Sequence, residues 1–208
     1  EEVTKKAEQA DAEVVRELRR AGINENIGNI NAVNELMATG QLMAYTRKHG
    51  NQGSKSIYGE NIIDSNDKLK EVLDSRDKLE AMYTNLEEAA GDELEEAIES
   101  SLTGTAEDPV DYDTFEELRI SNRQIRYISN LARRNDYRVP YVKNGQAGLI
   151  NLTFVADDND KGKISIKMNT ASWGELSVEA KVTQSDVSMY VKQDSRIVLS
   201  EDRSIYKY

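Results

Sequence analysis

The sequence contains no cysteine and only one histidine, His49. The lack of cysteine excludes disulfide bonds and thiolate metal sites, and it leaves the cellular compartment open. A histidine-based zinc site or a Ser-His-Asp triad would have to depend on His49 alone. This residue begins a stretch rich in Gly, Asn and Ser, from His49 to Asn61, which predicts a loop. We therefore interpret His49 as a solvated loop residue in preference to a catalytic one.

Long apolar runs are missing as well. No stretch of about eighteen apolar residues occurs, which argues against a membrane-spanning helix and against membrane insertion. There is also no glycine-rich phosphate loop and no nucleophile elbow. We predict a protein that is not an enzyme, with no catalytic residues, no cofactor and no metal. An enzyme is the disfavoured alternative.

The negative charge is concentrated in one part of the chain. The net charge is −11, and residues 60–117 hold twenty acidic and only four basic residues. Residues 118–138 follow with six arginines and one acidic residue. Nucleic acid requires a basic face for its phosphates, so we predict no nucleic-acid partner. The arginines could pair with the acidic segment, and a site for an anionic ligand is the less favoured alternative.

The first 48 residues predict two short helices. Apolar residues recur at steps of three and four over residues 3–21, and Gly22 is suited to end that helix. Asn24 is the predicted cap of a second helix, which Gly40 breaks or ends. Residues 1–48 are therefore expected to form a small helical hairpin. A DNA-binding helix-turn-helix is disfavoured because the second helix carries glutamates and neither Arg nor Lys.

The acidic segment predicts a different kind of helix. Apolar residues follow a near-heptad pattern over residues 66–99, with an interruption at Gly91. Because the apolar stripe is narrow and the outer face is acidic, we expect residues 62–100 to form a solvent-exposed helical hairpin or coiled-coil arm. A solvated face is favoured over a specific acidic docking site. Residues 101–113, which include Pro109, predict a linker.

A helix and a sheet are predicted after this linker. Asp113 or Thr114 is the predicted cap of this helix, which runs to about Asn135, and period-2 alternation follows it. Pro140 indicates an edge strand or the start of a strand, and Asn144-Gly145 indicates a hairpin turn. Residues 112–208 should form a helix packed on an antiparallel meander of five or six strands. The predicted fold class is α+β, with a helical N-terminal region before this domain.

The turn from Asp157 to Gly162 resembles the start of a calcium-binding loop, D-x-N-x-K-G. Met168 stands where that loop requires a bidentate acidic residue. We therefore interpret the segment as a turn and not as a metal site.

The stretch Gly162 to Val182, GKISIKMNTASWGELSVEAKV, predicts two alternating strands joined by a short connection. Trp173, the only tryptophan, lies in the connection beside Gly174. A large aromatic side chain there is expected to close one end of the core, at least half buried against the helix that carries Ile125 and Ile128.

Part of this stretch resembles the C-terminal domain of bacterial flagellar hook-length control proteins. That family has a motif of the form Leu-x-Pro-x-x-Leu-Gly-x-Leu/Val-x-Val, in which one strand enters a turn and a second strand leaves it. The segment MNTASWGELSV has matching residues at Met168, Gly174, Glu175, Leu176 and Val178.

The segment departs from that motif at two positions. Thr170 replaces the usual proline, and Trp173 replaces the usual leucine. The later helix of the family is also not evident, because RIVLSEDRSIYKY is strand-like. The stretch AGINENIGNINAVNELMATG, residues 21–40, is similar to a small helical repeat of divergent hook-length-like proteins.

The resemblance implies a non-enzymatic protein that couples hook length to a switch in type III export specificity. The implied partner is the cytoplasmic domain of the flagellar export gate protein. The implied location is the cytoplasm, with export through the flagellar apparatus as a further possibility. Trp173, Gly174, Glu175 and Leu176 would be the candidate partner contacts.

Two alternatives stay open at this point. Trp173 could serve only to fill the core, and Gly174 could be present only because the turn needs a positive φ. The whole chain could also be a generic interaction or scaffold protein without a flagellar link.

Overall fold

The structure is a computed structural model, and it describes residues 2–43, 46–48, 54–56, 63–103, 112–143, 146–157, 161–170, 174–183 and 186–194. The helices in these ranges are α1 (Glu2–Ala21), α2 (Ile27–Thr39), α3 (Asn66–Leu73), α4 (Arg76–Thr103) and α5 (Tyr112–Ala132). The strands are β1 (Thr46–Lys48), β2 (Ser54–Ser56), β3 (Asp136–Lys143), β4 (Gln146–Asp157), β5 (Lys161–Thr170), β6 (Gly174–Val182) and β7 (Val187–Asp194). Helices precede an antiparallel five-stranded sheet, so the predicted α+β class is confirmed.

Two glycines end the first two helices. Gly22 has φ +70°, and the next amide, that of Ile23, donates to the Leu18 carbonyl at 2.9 Å. Gly40 has φ +65°, and its amide donates to the Leu36 carbonyl at 2.8 Å. Left-handed backbone of this kind satisfies the last carbonyls of a helix and is tolerated by glycine. Both predicted helix ends are thus found.

The predicted cap of α2 is wrong by two residues. Asn26 is the cap, and its side-chain oxygen accepts a hydrogen bond from the Asn29 amide at 3.0 Å. This is the contact through which an N-cap satisfies an amide of the first turn. Asn24 instead offers its backbone carbonyl to the side-chain amide of Asn29, at 2.9 Å.

The predicted interruption of the acidic helical region at Gly91 is wrong. The division lies between Leu73 and Arg76, where Ser75 accepts a hydrogen bond from the Lys78 amide at 3.2 Å and begins α4. Helix α4 then continues through Gly91 to Thr103. A helical glycine costs only about 1 kcal/mol relative to alanine, a cost that burial of neighbouring side chains offsets.

Helix α4 is not a solvent-exposed arm, contrary to the expectation from its narrow apolar stripe. That stripe is buried in the common hydrophobic core: Leu79, Met82, Tyr83, Leu86, Ala90 and Ala97. It packs against α5, and only its outer face carries the acidic residues to solvent. The apolar stripe is narrow because α4 buries only one side, the side that faces α5. Helix α4 is therefore not part of a free hairpin.

Helix α5 is the centre of the helical layer. Helices α1, α2 and α4 all pack on it, and β3 follows it directly. Its buried side chains include the polar Gln124, whose Oε1 accepts from the Met43 amide at 2.7 Å and whose Nε2 donates to the Ala32 carbonyl at 3.0 Å. One turn earlier, Ser121 donates to the Met43 carbonyl at 2.7 Å. The core thus includes side chains from all three predicted ranges, 1–48, 62–100 and 112–208.

The sheet is an antiparallel meander in the order β3-β4-β5-β6-β7. Strand β3 begins at Asp136, directly after Asn135, which has φ +61° and turns the chain out of α5. Pro140 lies in β3, which is the terminal strand of this sheet, as its missing N–H requires. On the outer side of β3, Ile63 forms an isolated parallel bridge and accepts from the Val142 amide at 2.7 Å.

Two hairpins agree with the predicted turns. Lys143 pairs with Gln146 across the Asn-Gly position, and Asp157 pairs with Lys161 across the turn that resembles a calcium loop. The connecting residues themselves lie outside the described residues. His49 also lies outside them, as do residues 195–208, where a sixth strand of the predicted meander would have to lie.

Candidate functional site

The hook-length-like motif lies where β5 and β6 join. The two strands pair so that Thr170 faces Gly174 and Met168 faces Leu176. One strand therefore enters a short connection and a second strand leaves it, as the motif requires. Trp173 lies outside the described residues, so its expected burial against Ile125 and Ile128 stays a prediction.

The other candidate contacts occupy different environments. Gly174 begins β6. Glu175 is exposed and pairs with Asn169 on one side and Asp194 on the other. Leu176 is half-buried and lies between Met168 and Gln193. Gly174, Glu175 and Leu176 therefore share the β5–β7 end of the sheet, which is far in strand order from the helices that pack on β3.

One apolar row crosses all five strands of the sheet. It consists of Tyr137, Leu152, Ile166, Val178 and Val191, each the direct neighbour of the next. Tyr137 and Leu152 are 2% exposed, the two middle residues are half-buried, and Val191 is 56% exposed. Burial thus falls steadily from the first strand to the last.

The inner end of that row is covered by α4. The ring of Tyr83 lies 6.2 Å from the ring of Tyr137, centroid to centroid. Tyr137 in turn contacts Phe154 edge to face, at 5.5 Å between ring centroids. Edge-to-face aromatic pairs of this geometry contribute about 0.5–1.5 kcal/mol beyond the area they bury. These contacts fix where the helical layer ends on the sheet.

The neighbouring apolar row also becomes more exposed toward the last strand. It consists of Phe154, Ile164, Ala180 and Met189, in strand order from β4 to β7. Phe154 is 40% exposed and Met189 is 67% exposed. The apolar face of β5, β6 and β7, which we call the outer apolar face, therefore continues the core face beyond the helices that cover it.

The opposite face of the outer strands is polar. Lys163 and Glu179 form an ion pair at 3.1 Å between neighbouring strands. Lys167, Ser177 and Lys192 make a polar row. Exposed ion pairs of this kind contribute little to stability. This face of β5 and β6 is therefore suited to solvent, whereas the outer apolar face continues the core.

Strand β7 is the last strand of the described sheet, and it exposes large apolar side chains on both faces. Met189 and Tyr190 are each 67% exposed, and they point to opposite sides because successive strand residues alternate. A strand at the end of the described sheet that exposes large apolar side chains is suited to protein contact. Sequence reasoning found the strand but not this surface, although the alternation of Val187, Met189 and Val191 could have indicated it.

A charged cluster around the buried Asp136 holds the helices to β3. Arg20 lies 2.5 Å from Asp136, and Arg138 lies 3.5 Å from the same carboxylate. The Tyr127 hydroxyl donates to Glu17 at 2.8 Å. Burial, and then this hydrogen bond, raise the pKa of Tyr127 above its usual range. These contacts bind α1, α5 and β3 together, so we assign them a structural role.

The described residues contain no group of three or more Asp, Glu or His side chains that could hold a metal ion. None of the helices in the described ranges is long and apolar enough to cross a membrane. The chain has no significant match to a family model, to a curated protein or to a solved structure.

Proposed function

We propose that the chain is a non-enzymatic, hook-length control-like protein that switches the specificity of flagellar type III export through protein contact. The observation that carries this proposal is the strand–connection–strand arrangement of the motif, with Met168 facing Leu176 across β5 and β6. The proposed partner is the cytoplasmic domain of the flagellar export gate protein. The proposed location is the cytoplasm. Export of the chain through the flagellar apparatus is a further part of this proposal.

The proposed contact surface is the outer apolar face together with the motif end of the sheet. Leu176 belongs to both, since it lies on the apolar face and within the motif. An exposed apolar surface that is continuous with a core face is typical of a protein-interaction site. Trp173, Gly174 and Glu175 would then contact the partner at the end of β5 and β6.

The proposal is tested with substitutions that spare the core. Met189→Asp and Val191→Asp place charges on exposed positions of β7, where the fold loses little. The matched control is Leu102→Asp, which changes an apolar residue that is 82% exposed on α4. In cells, the β7 variants should give over-long hooks without filaments, and the control should give normal hooks by electron microscopy.

Binding of the purified export gate domain supplies the second measurement. The unmodified chain and Leu102→Asp should bind it, and the β7 variants should bind it at least about tenfold more weakly, a loss of about 1.4 kcal/mol. Normal hooks and full motility in cells that lack the whole protein would refute the flagellar role.

A generic interaction or scaffold protein is the second candidate function. The exposed apolar side chains of β7, Met189, Tyr190 and Val191, favour it because an apolar contact of this kind does not require a flagellar partner. If the export gate domain does not bind, while the β7 variants lose another protein partner that Leu102→Asp retains, this candidate replaces the first.

A further inference from the structure

A cleft with an unusual charge lies between the α1–α2 connection and α5. Its volume is about 350 Å³. Arginines of α5 and asparagines of the α1–α2 connection and of the first turn of α2 form most of its lining: Asn24, Asn26, Asn29, Arg119, Arg123 and Arg126. The chain as a whole carries a net charge of −11, so a cleft lined by three arginines is a local exception.

Two of these arginines have no acidic partner. Arg119 pairs with Glu116 at 2.6 Å, and outside the cleft Arg133 pairs with Glu87 at 3.2 Å. Arg123 and Arg126 form no ion pair with any residue that the structure describes. Helix α4, rich in acidic residues, contributes the apolar Leu94 to the lining. The fold therefore leaves two positive charges together without neutralising them.

The position of Arg123 depends on a glycine. A Cβ at Gly28 would lie 2.6 Å from the guanidinium carbon of Arg123 and 2.7 and 2.8 Å from its two terminal nitrogens. Cβ atoms do not approach other heavy atoms this closely, so a side chain at this position would displace the guanidinium, and glycine allows it to lie against the first turn of α2. Arg123 is half-buried there. Desolvating a guanidinium without a counter-charge is unfavourable unless an anion completes the site.

The first turn of α2 supplies further donors at the same place. The Asn29 amide is taken by the Asn26 side chain, and the Ile30 amide by the Asn26 carbonyl at 2.9 Å. The amides of Ile27 and Gly28 have no acceptor among the described residues. A helix N-terminus adds a partial positive charge to these N–H groups. The arginine side chains and the amides around the cleft thus all carry positive charge or donate hydrogen bonds, and all of them favour an anion.

We propose that this cleft binds a phosphate group, held chiefly by Arg123 and Arg126. Two unpaired guanidinium groups match the charge of a phosphate near neutral pH, which is about −1.5 to −2 for a phosphomonoester. The several N–H donors exceed what one carboxylate can accept, and they suit the three or four oxygens of a phosphate. Free inorganic phosphate and the phosphoserine of a partner protein share this chemistry. The inference does not depend on the flagellar role.

The test is isothermal titration at constant ionic strength, because screening would otherwise change every charged contact together. The probes are inorganic phosphate, a phosphoserine peptide and the same peptide without phosphate. The variants are Arg126→Gln, on an exposed side chain, and Gly28→Ala, which displaces the Arg123 guanidinium. The control is Arg76→Gln, which removes an exposed arginine paired with Glu80 on α4. Circular dichroism establishes that each variant is folded.

Saturable binding of one phosphate probe should be weakened about tenfold or more by Arg126→Gln and by Gly28→Ala, and left unchanged by Arg76→Gln. Binding of inorganic phosphate assigns the site to a small ligand. Binding of the phosphoserine peptide alone assigns it to a partner protein. The proposal is overturned if neither probe binds below about 10 mM, or if Arg76→Gln weakens binding as much as Arg126→Gln.

Discussion

Replacement of Gln124 by leucine should destabilise the protein although leucine has a similar volume and suits a buried position. Gln124 is fully buried on α5, and its two hydrogen bonds connect α5 to the Met43 amide and to the Ala32 carbonyl. Each intramolecular hydrogen bond contributes about 0.5–1.5 kcal/mol. The two together should therefore be worth about 2 kcal/mol.

The two hydrogen bonds should not contribute equally. The Ala32 carbonyl lies inside α2, where the helical pattern supplies it with a second donor. The Met43 amide lies beyond the end of that helix and depends more on Gln124. Gln124→Glu keeps an acceptor for Met43 but loses the donor to Ala32 and adds a buried charge, so it should cost more than Gln124→Leu.

Chemical denaturation followed by helical circular dichroism measures the change in the free energy of unfolding. For a chain of this length, a loss of about 2 kcal/mol lowers the melting temperature by about 4–8 °C. Ser121→Ala removes the neighbouring hydrogen bond to the Met43 carbonyl, and a double-mutant cycle with Gln124→Leu should show coupling, because both residues fix one backbone segment. A neutral or stabilising Gln124→Leu would show that the segment at Met43 does not depend on α5.

Three further predictions concern the packing of the helices on β3 and on one another. Asp136→Asn should cost about 1–3 kcal/mol in the free energy of unfolding, because it removes the buried carboxylate that pairs with Arg20 and Arg138, while both arginines are partly exposed and keep Glu17 as a partner. A loss under about 0.5 kcal/mol would contradict this. The pKa of Tyr127 is raised in the folded state, so its contribution to stability is complete below about pH 10 and is lost as the pH rises above that value. Tyr127→Phe should therefore lessen the decrease in the denaturation midpoint at alkaline pH. An unchanged pH profile of the midpoint would refute the effect. Limited proteolysis should cut first within residues 49–61 or 101–112, and the fragments should elute together on size exclusion because α4 packs on α5; early cuts within β5 or β6, or separation of native fragments, would contradict it.

Local patterns in the sequence were sufficient for most of the secondary structure. Gly22 and Gly40 end helices because glycine tolerates the left-handed backbone that a C-terminal cap needs. The alternation around Ile166 and Val178 correctly indicated paired strands with one apolar face. These signals depend only on neighbouring residues, which is why they could be recognised without tertiary information.

Contacts between distant residues could not be predicted in the same way. The apolar stripe of α4 indicated a helix, but nothing in the sequence shows that α5 covers it, and so the expected free arm was wrong. The closeness of Gly28 and Arg123 depends on the packing of α2 on α5 across 95 residues, which no local pattern encodes. The same holds for the exposure of β7, which follows from where the helical layer ends.

The decreasing cover across the sheet has a consequence for how the protein opens. Tyr137 of β3 and Leu152 of β4 are buried in the core, while Val191 of β7 is 56% exposed and pairs with Val178 of β6. Segments with few buried apolar contacts open with a smaller free energy than the core. Amide hydrogens should therefore exchange fastest in β7, more slowly in β6 and β5, and slowest in β4 and α5. Opening would begin at the strand farthest from the helices and proceed one hairpin at a time, leaving the helical core folded while the outer strands separate.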